Sequence, residues 1–272
     1  MRCAFFTICV YFLLPRLAGA QGLFDAAGAF AAGKGGTSVV DQNPYAVFNN
    51  PAGIVGDSAT FGFFSSMGFG IKQLAQTGIS ADVALGKTKF GAGLRQFGFE
   101  LYKQQQFSLV LARQLSGIIS MGISASWVQT SISEYGSTGN LIGDAGLVAQ
   151  LSRKTRVALH FINVGNNQLK HDFTGSIPCM AVAGISYHLS RELNFQAEYG
   201  RYLSDTALLR FGAIYDLKGI LSVSMGYVTG GMQADFISFG IGGHWRKFRF
   251  DFATSRHELL GFTPYFSVIY KR

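Results

Sequence analysis

From residue 59 onwards, apolar and polar positions alternate with a period of two, and the alternation restarts after each cluster of turn residues. In RKFRFDFATSR (246–256), Phe248, Phe250 and Phe252 fall on one side, and Lys247, Arg249 and Asp251 on the other. LNFQAEYG (193–200) sets Leu193, Phe195, Ala197 and Tyr199 against Asn194, Gln196 and Glu198. LSVSMGY (221–227) sets Leu221, Val223, Met225 and Tyr227 against two serines and a glycine, and VALHFIN (157–163) repeats the scheme around His160. A period of two belongs to strands, whose successive side chains leave opposite faces.

Counting such stretches gives fourteen spans: 59–70, 76–86, 88–101, 104–115, 118–130, 140–152, 154–163, 178–189, 191–201, 205–216, 219–228, 234–245, 246–256 and 262–271. Each is about ten residues long, against a mode near 5–6 in globular proteins. A sandwich would also have one apolar face per strand. Here, however, the second face is small, polar or charged, which suits a lumen. The pattern predicts an all-β fold, a transmembrane antiparallel β-barrel of about 14 strands over 58–272. The last strand, FTPYFSVIYKR, would pair with the first and so abolish the sheet edge. The longest gaps, 131–139 and 164–177, are rich in turn residues and read as loops. A secreted soluble β-sandwich is the competing reading.

The ends sharpen this choice. MRCAFFTICVYFLLPRLAGA carries an early arginine, a short apolar run and a small-residue Ala18-Gly19-Ala20 pattern, so 1–20 reads as a signal peptide. Its loss removes Cys3 and Cys9, leaving Cys179 alone and no disulfide framework. It also removes Arg2 and Arg16, taking the formal charge from +8 to +6. The remaining charges are scattered singly, without a basic run, and export argues against a nucleic-acid partner. Charged residues make up 14% of the chain, against about 25% in ordinary globular proteins. With 35 Gly and 25 Phe but only 5 Pro, the composition favours the membrane barrel over the sandwich.

Residues 21–57 lack any period and are dominated by Gly, Ala, Asn and Pro, with 26–32 able to form a short helix. They carry too little charge and too much apolar surface for disorder. Within them NPYAVFNNPAG (43–53) combines turn formers with Tyr45, Val47 and Phe48. This is the composition of a hatch packed in a lumen, where irregular backbone is tolerated because lipid cannot reach it. The hatch candidates are Asn43, Pro44, Asn49, Asn50, Pro51, Ala52 and Gly53, the asparagines supplying donors and acceptors to that backbone. An ordinary turn before the first strand is the plainer alternative.

Charges on the lipid face would cost about 2–4 kcal/mol at the midplane. Glu198, Arg210, Lys247, Arg249 and Asp251 are therefore expected to face the lumen, paired with one another or holding the hatch. The histidines, at 160, 171, 188, 244 and 257, show no metal-ligand spacing. No Gly-x-Ser-x-Gly elbow accompanies them, and GKGG (33–36) and GIGGH (240–244) lack the Gly-Lys-Ser/Thr ending of a phosphate loop. The expectation is a protein with no catalytic residues, no metal and no cofactor.

A small-residue stretch with Gly35-Gly36, then Asn50-Pro51-Ala52-Gly53, then successive amphipathic strands resembles the FadL-like outer-membrane proteins, and within them the PorV/PorQ family of the Bacteroidetes type. EYGS (134–137), FINVGN (161–166) and RFDFATS (249–255) are further marks. The resemblance implies a fourteen-stranded barrel in the outer membrane of a Gram-negative bacterium, with an N-terminal hatch in its lumen. It implies one of two activities. PorV-like members serve type IX secretion and hold cargo proteins at the surface, which would make secretion-system or cargo proteins the partners. FadL-like members pass small hydrophobic compounds. The first is the leading expectation and the passive channel its alternative.

Overall fold

The computed structural model of the chain describes residues 25–165, 177, 179–202, 207–230 and 235–272. The proposed signal peptide lies outside them. Fourteen antiparallel strands close into one barrel: β1 (Thr60–Met67), β2 (Ala75–Leu85), β3 (Thr88–Gly98), β4 (Tyr102–Gln114), β5 (Ile119–Ile132), β6 (Gly136–Gln150), β7 (Thr155–Ile162), β8 (Met180–His188), β9 (Leu193–Tyr202), β10 (Ala207–Leu217), β11 (Leu221–Gly230), β12 (Phe236–Trp245), β13 (Phe248–His257) and β14 (Gly261–Lys271). Each strand pairs with its sequence neighbours, and β1 pairs with β14 from Thr60↔Lys271 to Ser66↔Tyr265. Closure leaves no row of unpaired backbone groups for lipid to meet.

The two faces divide as the alternation requires. Ile79, Leu94, Leu109, Ile123, Phe211, Met225, Phe239 and Phe252 are exposed on the outside. Ser108, Ser126, Ser222, Ser224, Ser238 and Ser267 are buried on the inside. Small inner side chains leave room for a filling, and large outer ones form the apolar belt of a membrane barrel. Outer aromatic rings pack between β13 and β14, with Phe252 4.9 Å from Phe266 and Phe248 5.1 Å from Tyr270.

The two rims differ. At the rim bearing the C-terminus, the turns are short, only 86–87 between β2 and β3 and 246–247 between β12 and β13. The opposite rim carries the longer connections, including 68–74 and 163–179. Two expectations fail at these rims. The span 131–139 is not a loop: β5 and β6 continue through it, pairing Thr130↔Thr138 and Ser131↔Ser137 and leaving only 133–135 as the turn. Backbone pairing overrides the turn-rich composition there, with Glu134 supplying the left-handed conformation that closes the hairpin. Lys247 does not face the lumen either. It sits exposed in the two-residue turn between β12 and β13, where alternation has no meaning.

Candidate functional site

The barrel is filled by its own N-terminal segment. Residues 25–57 carry two short helices, α1 (Ala29–Gly33) and α2 (Ala46–Asn49), and a 3-10 turn over Pro51–Gly53. Most residues from Ala27 to Ile54 are buried, with Gln42 exposed. Its polar contacts reach strands all around the ring. The amide of Ala29 donates to Ser267 on β14 (3.1 Å), that of Gly35 to Ser238 on β12 (2.8 Å), and Ser120 on β5 donates to the carbonyl of Ala52 (3.0 Å). Only a segment inside the ring can touch strands on all its sides.

Two apolar seams hold it to the wall. Tyr45, Val47, Phe48 and Ile54 pack on Phe64, Val110 and Ala112, and Val39, Val40 and Ala52 pack on Val148, Ala158 and Val182. Burying a side chain of valine, isoleucine or phenylalanine is worth about 1.5–3 kcal/mol, so the seams supply most of the attraction. Phe64 is met edge-on by both Tyr45 (5.6 Å) and Phe48 (5.9 Å). The Tyr45 hydroxyl lies 2.8 Å from the carbonyl oxygens of both Phe63 and Val268 and can donate to either.

The polar anchors set position. Lys34, wholly buried, donates to Asp41 (2.8 Å), to the side-chain oxygen of Gln196 on β9 (2.7 Å) and to the carbonyl of Thr37. Glu198, also on β9, accepts the backbone N–H groups of Ser38 and Val39 (the latter at 2.6 Å) and meets Arg210 of β10 at 3.4 Å. A carboxylate accepting two amides from an otherwise unsatisfied loop is the strong kind of hydrogen bonding. Arg249 pairs with Asp251 (2.9 Å) and lies over the ring of Phe30, 4.1 Å from its centre. Glu198, Arg210, Arg249 and Asp251 thus gather around the segment, and Lys247 does not.

The asparagines satisfy its backbone. Asn49 exchanges two hydrogen bonds with the main chain of Ala27 (2.8 and 3.0 Å). Asn50 caps the 3-10 turn by accepting from Ala52 (3.1 Å), and its amide donates to the carbonyls of Val39 (2.7 Å) and Leu159 (3.4 Å). Asn43 accepts from the amide of Tyr45 (2.9 Å), Pro44 lies against Gly62, and Pro51 opens the 3-10 turn. Gly53 leaves no space for a Cβ beside the carbonyl of Asp41, and at Gly146 on β6 a Cβ would fall on the side chain of Asn50.

Above and below the segment the lumen differs. Toward the longer connections, Leu74, Phe97, Tyr102, Val128, Ile142 and Ile177 form an apolar cluster along the β3–β6 side of the mouth. The connection 68–74 lies over the same mouth, the amide of Phe69 donating to Thr263 (2.9 Å) and its ring meeting His257. Toward the short-turn rim a cavity of about 570 Å³ opens beneath Asp41–Pro44. His160 is buried 3.9 Å from Asp144, whose carboxylate accepts from Ser124 and from the amide of Asn163. The sequence reading missed Lys34 and Asp41, though they are the only charged residues between 26 and 56. That isolation in an apolar stretch was the available signal.

No family model matches the chain, and no curated protein matches it by sequence. Solved structures match its fold. The Pseudomonas putida toluene transporter TodX superposes with a TM-score of 0.71 at 13% identity, covering 94% of this chain and 99% of that one. The CymD monoaromatic hydrocarbon channel gives 0.68 at 14%, covering 93% and 98%. A Pseudomonas aeruginosa FadL homologue gives 0.60 at 11%, covering 90% and 98%. At these identities the likeness is one of fold alone.

Proposed function

We propose that this chain is a passive outer-membrane channel for small hydrophobic compounds, gated by displacement of residues 25–57 acting as a hatch. The observation that carries this reading is the seating of that segment. It closes the lumen between an apolar cluster at one mouth and an open cavity at the other, and it is held by side-chain contacts rather than by strand pairing. Short turns mark the periplasmic side of such barrels and longer connections the outer side. A hydrophobic compound would then meet the apolar cluster first and leave through the cavity. Two of the structures that share the fold are named as a toluene transporter and a monoaromatic hydrocarbon channel, which supports this reading over a role in secretion.

The secretion reading would place partner contacts on the outer connections, and three of these, 99–101, 133–135 and 258–260, offer three residues each. Locking the hatch separates the two. In a Cys179→Ser background, Ala29→Cys and Ser267→Cys put thiols on two neighbouring residues, whose backbone amide and hydroxyl now bond at 3.1 Å. Toluene uptake into proteoliposomes should fall on oxidation and return on reduction. Equal uptake by the oxidised and reduced barrels sinks the gate. A barrel that passes no toluene in either state, but retrieves a defined protein by crosslinking from 133–135, replaces the channel with the secretion role.

A further inference from the structure

We propose that the cavity at the short-turn rim is a binding site for a small organic anion, with Arg156 as its anchor. This rests on the cavity itself and not on the transport reading. About 570 Å³ is the size of a small-molecule site. Its charge is unevenly satisfied. Among the carboxylates that line it, Asp82 is held by Lys89 and Thr60, Asp41 by Lys34 and Gln196, Glu192 by Ser190, and Asp216 by the amide of Gly219. Asp57 remains, exposed at the rim.

The cations are left over. Arg156, half-buried on β7, donates to the side-chain oxygen of Gln150 (2.8 Å) and to the carbonyl of Val40 (3.3 Å), both neutral acceptors. Among the described residues no carboxylate stands within ion-pair distance of it; Asp41 acts on it only from farther off. Among the described residues Arg191, Arg246, Lys247 and Lys271 around the rim form no ion pair either. With Arg156 they outnumber Asp57, Glu192 and Asp216, the lining carboxylates without a cationic partner, so the field in the cavity is positive on balance. A half-buried guanidinium with only neutral partners gains most from an arriving anion, and its planar fork suits a carboxylate.

Neighbouring side chains complete a recognition patch. The strand register sets Ser186 opposite Arg156, Ser186 bonds to Asn194 (3.1 Å), and Asn194 bonds to His188 (2.8 Å). Hydroxyl, amide and imidazole thus line the same cavity as the guanidinium. The rest of the lining includes Phe30, Pro44, Ile214 and Ile269, which asks for an apolar body behind the charged head. Because Arg156 also holds the Val40 carbonyl, an occupant of this site touches the inner segment.

Calorimetric titration of the purified full-length barrel in detergent micelles tests this, with benzoate as the probe. Benzyl alcohol is the same body without charge, and inorganic phosphate is charge without the body. Benzoate should saturate, bind more tightly than either control and weaken with added salt. Arg156→Gln should weaken it about ten-fold or more, the loss of a charged donor. Arg156→Lys should recover part of that, and Arg113→Gln, exposed on β4 and outside the lining, should change little. Benzyl alcohol binding as well as benzoate overturns the anion site in the wild-type protein alone, with no variant needed. Phosphate binding as well as benzoate overturns the organic ligand class. Undiminished benzoate binding by Arg156→Gln that still migrates as a folded barrel overturns the anchor.

Discussion

The ammonium of Lys34 lies 2.7 Å from the side-chain oxygen of Gln196, joining the inner segment to β9 across 162 positions of sequence. With Asp41 at 2.8 Å, the same nitrogen neutralises the one other charge between residues 26 and 56. A buried pair adds little net stability when intact, but breaking it by removing one partner costs about 3–5 kcal/mol. The pair therefore specifies a seat more than it strengthens one.

Lys34→Met should loosen that seat by about 3–5 kcal/mol, because the Asp41 carboxylate is left buried without its cation. Protease should cleave within 25–57 in barrels that still migrate as folded before boiling. The double change Lys34→Met with Asp41→Asn should be milder than Lys34→Met alone. A segment as protected as in the native barrel would remove the pair from the account of seating.

Glu198→Ala should be worse than Glu198→Gln. The alanine strands the amides of Ser38 and Val39, at about 1–3 kcal/mol for each unsatisfied group, whereas the glutamine keeps one acceptor. Amide hydrogen exchange at Ser38 and Val39 reads the difference directly. Equal protection in the two variants would show that neither amide depends on this side chain.

Gly146→Ala should push Asn50 out of its place and cost about 1–3 kcal/mol of seating, as overpacking does. Gly143→Ala, on the same strand, puts a Cβ 3.6 Å from the carbonyl of Ser124, an ordinary contact, and should lie within about 0.5 kcal/mol of the parent. Thermal unfolding of the two variants side by side checks both values.

Met225→Arg, on the outer belt, should destabilise the barrel in lipid vesicles by about 2–4 kcal/mol, measured by denaturant titration. Ser224→Ala next to it faces inward and should stay within about 1 kcal/mol. Equal effects would mean that this strand does not meet lipid.

The barrel was legible because its rule is local. Each strand declares its two faces without reference to any other, as Ser222, Ser224 and Val223 do on β11. Phase is lost at turns, which is why alternation alone puts Lys247 in the lumen although β12 ends at Trp245. Composition also misleads where pairing extends beyond the apolar belt, as in 131–139. The inner segment announced its burial through Tyr45, Val47 and Phe48, but not its partners. Nothing in Gln196 marks it as the acceptor for Lys34, since that contact exists only after the ring has closed.

That dependence fixes an order of events in assembly. The bond from Ala29 to Ser267 spans 238 positions and ends on the last strand. Contacts so remote in sequence must wait for the chain between them to be placed. The segment that precedes every strand in the chain is thus among the last to find its native surroundings. A chain stopped short of β14 would lose the closing strand and, at the far end of the sequence, a partner on which its beginning settles.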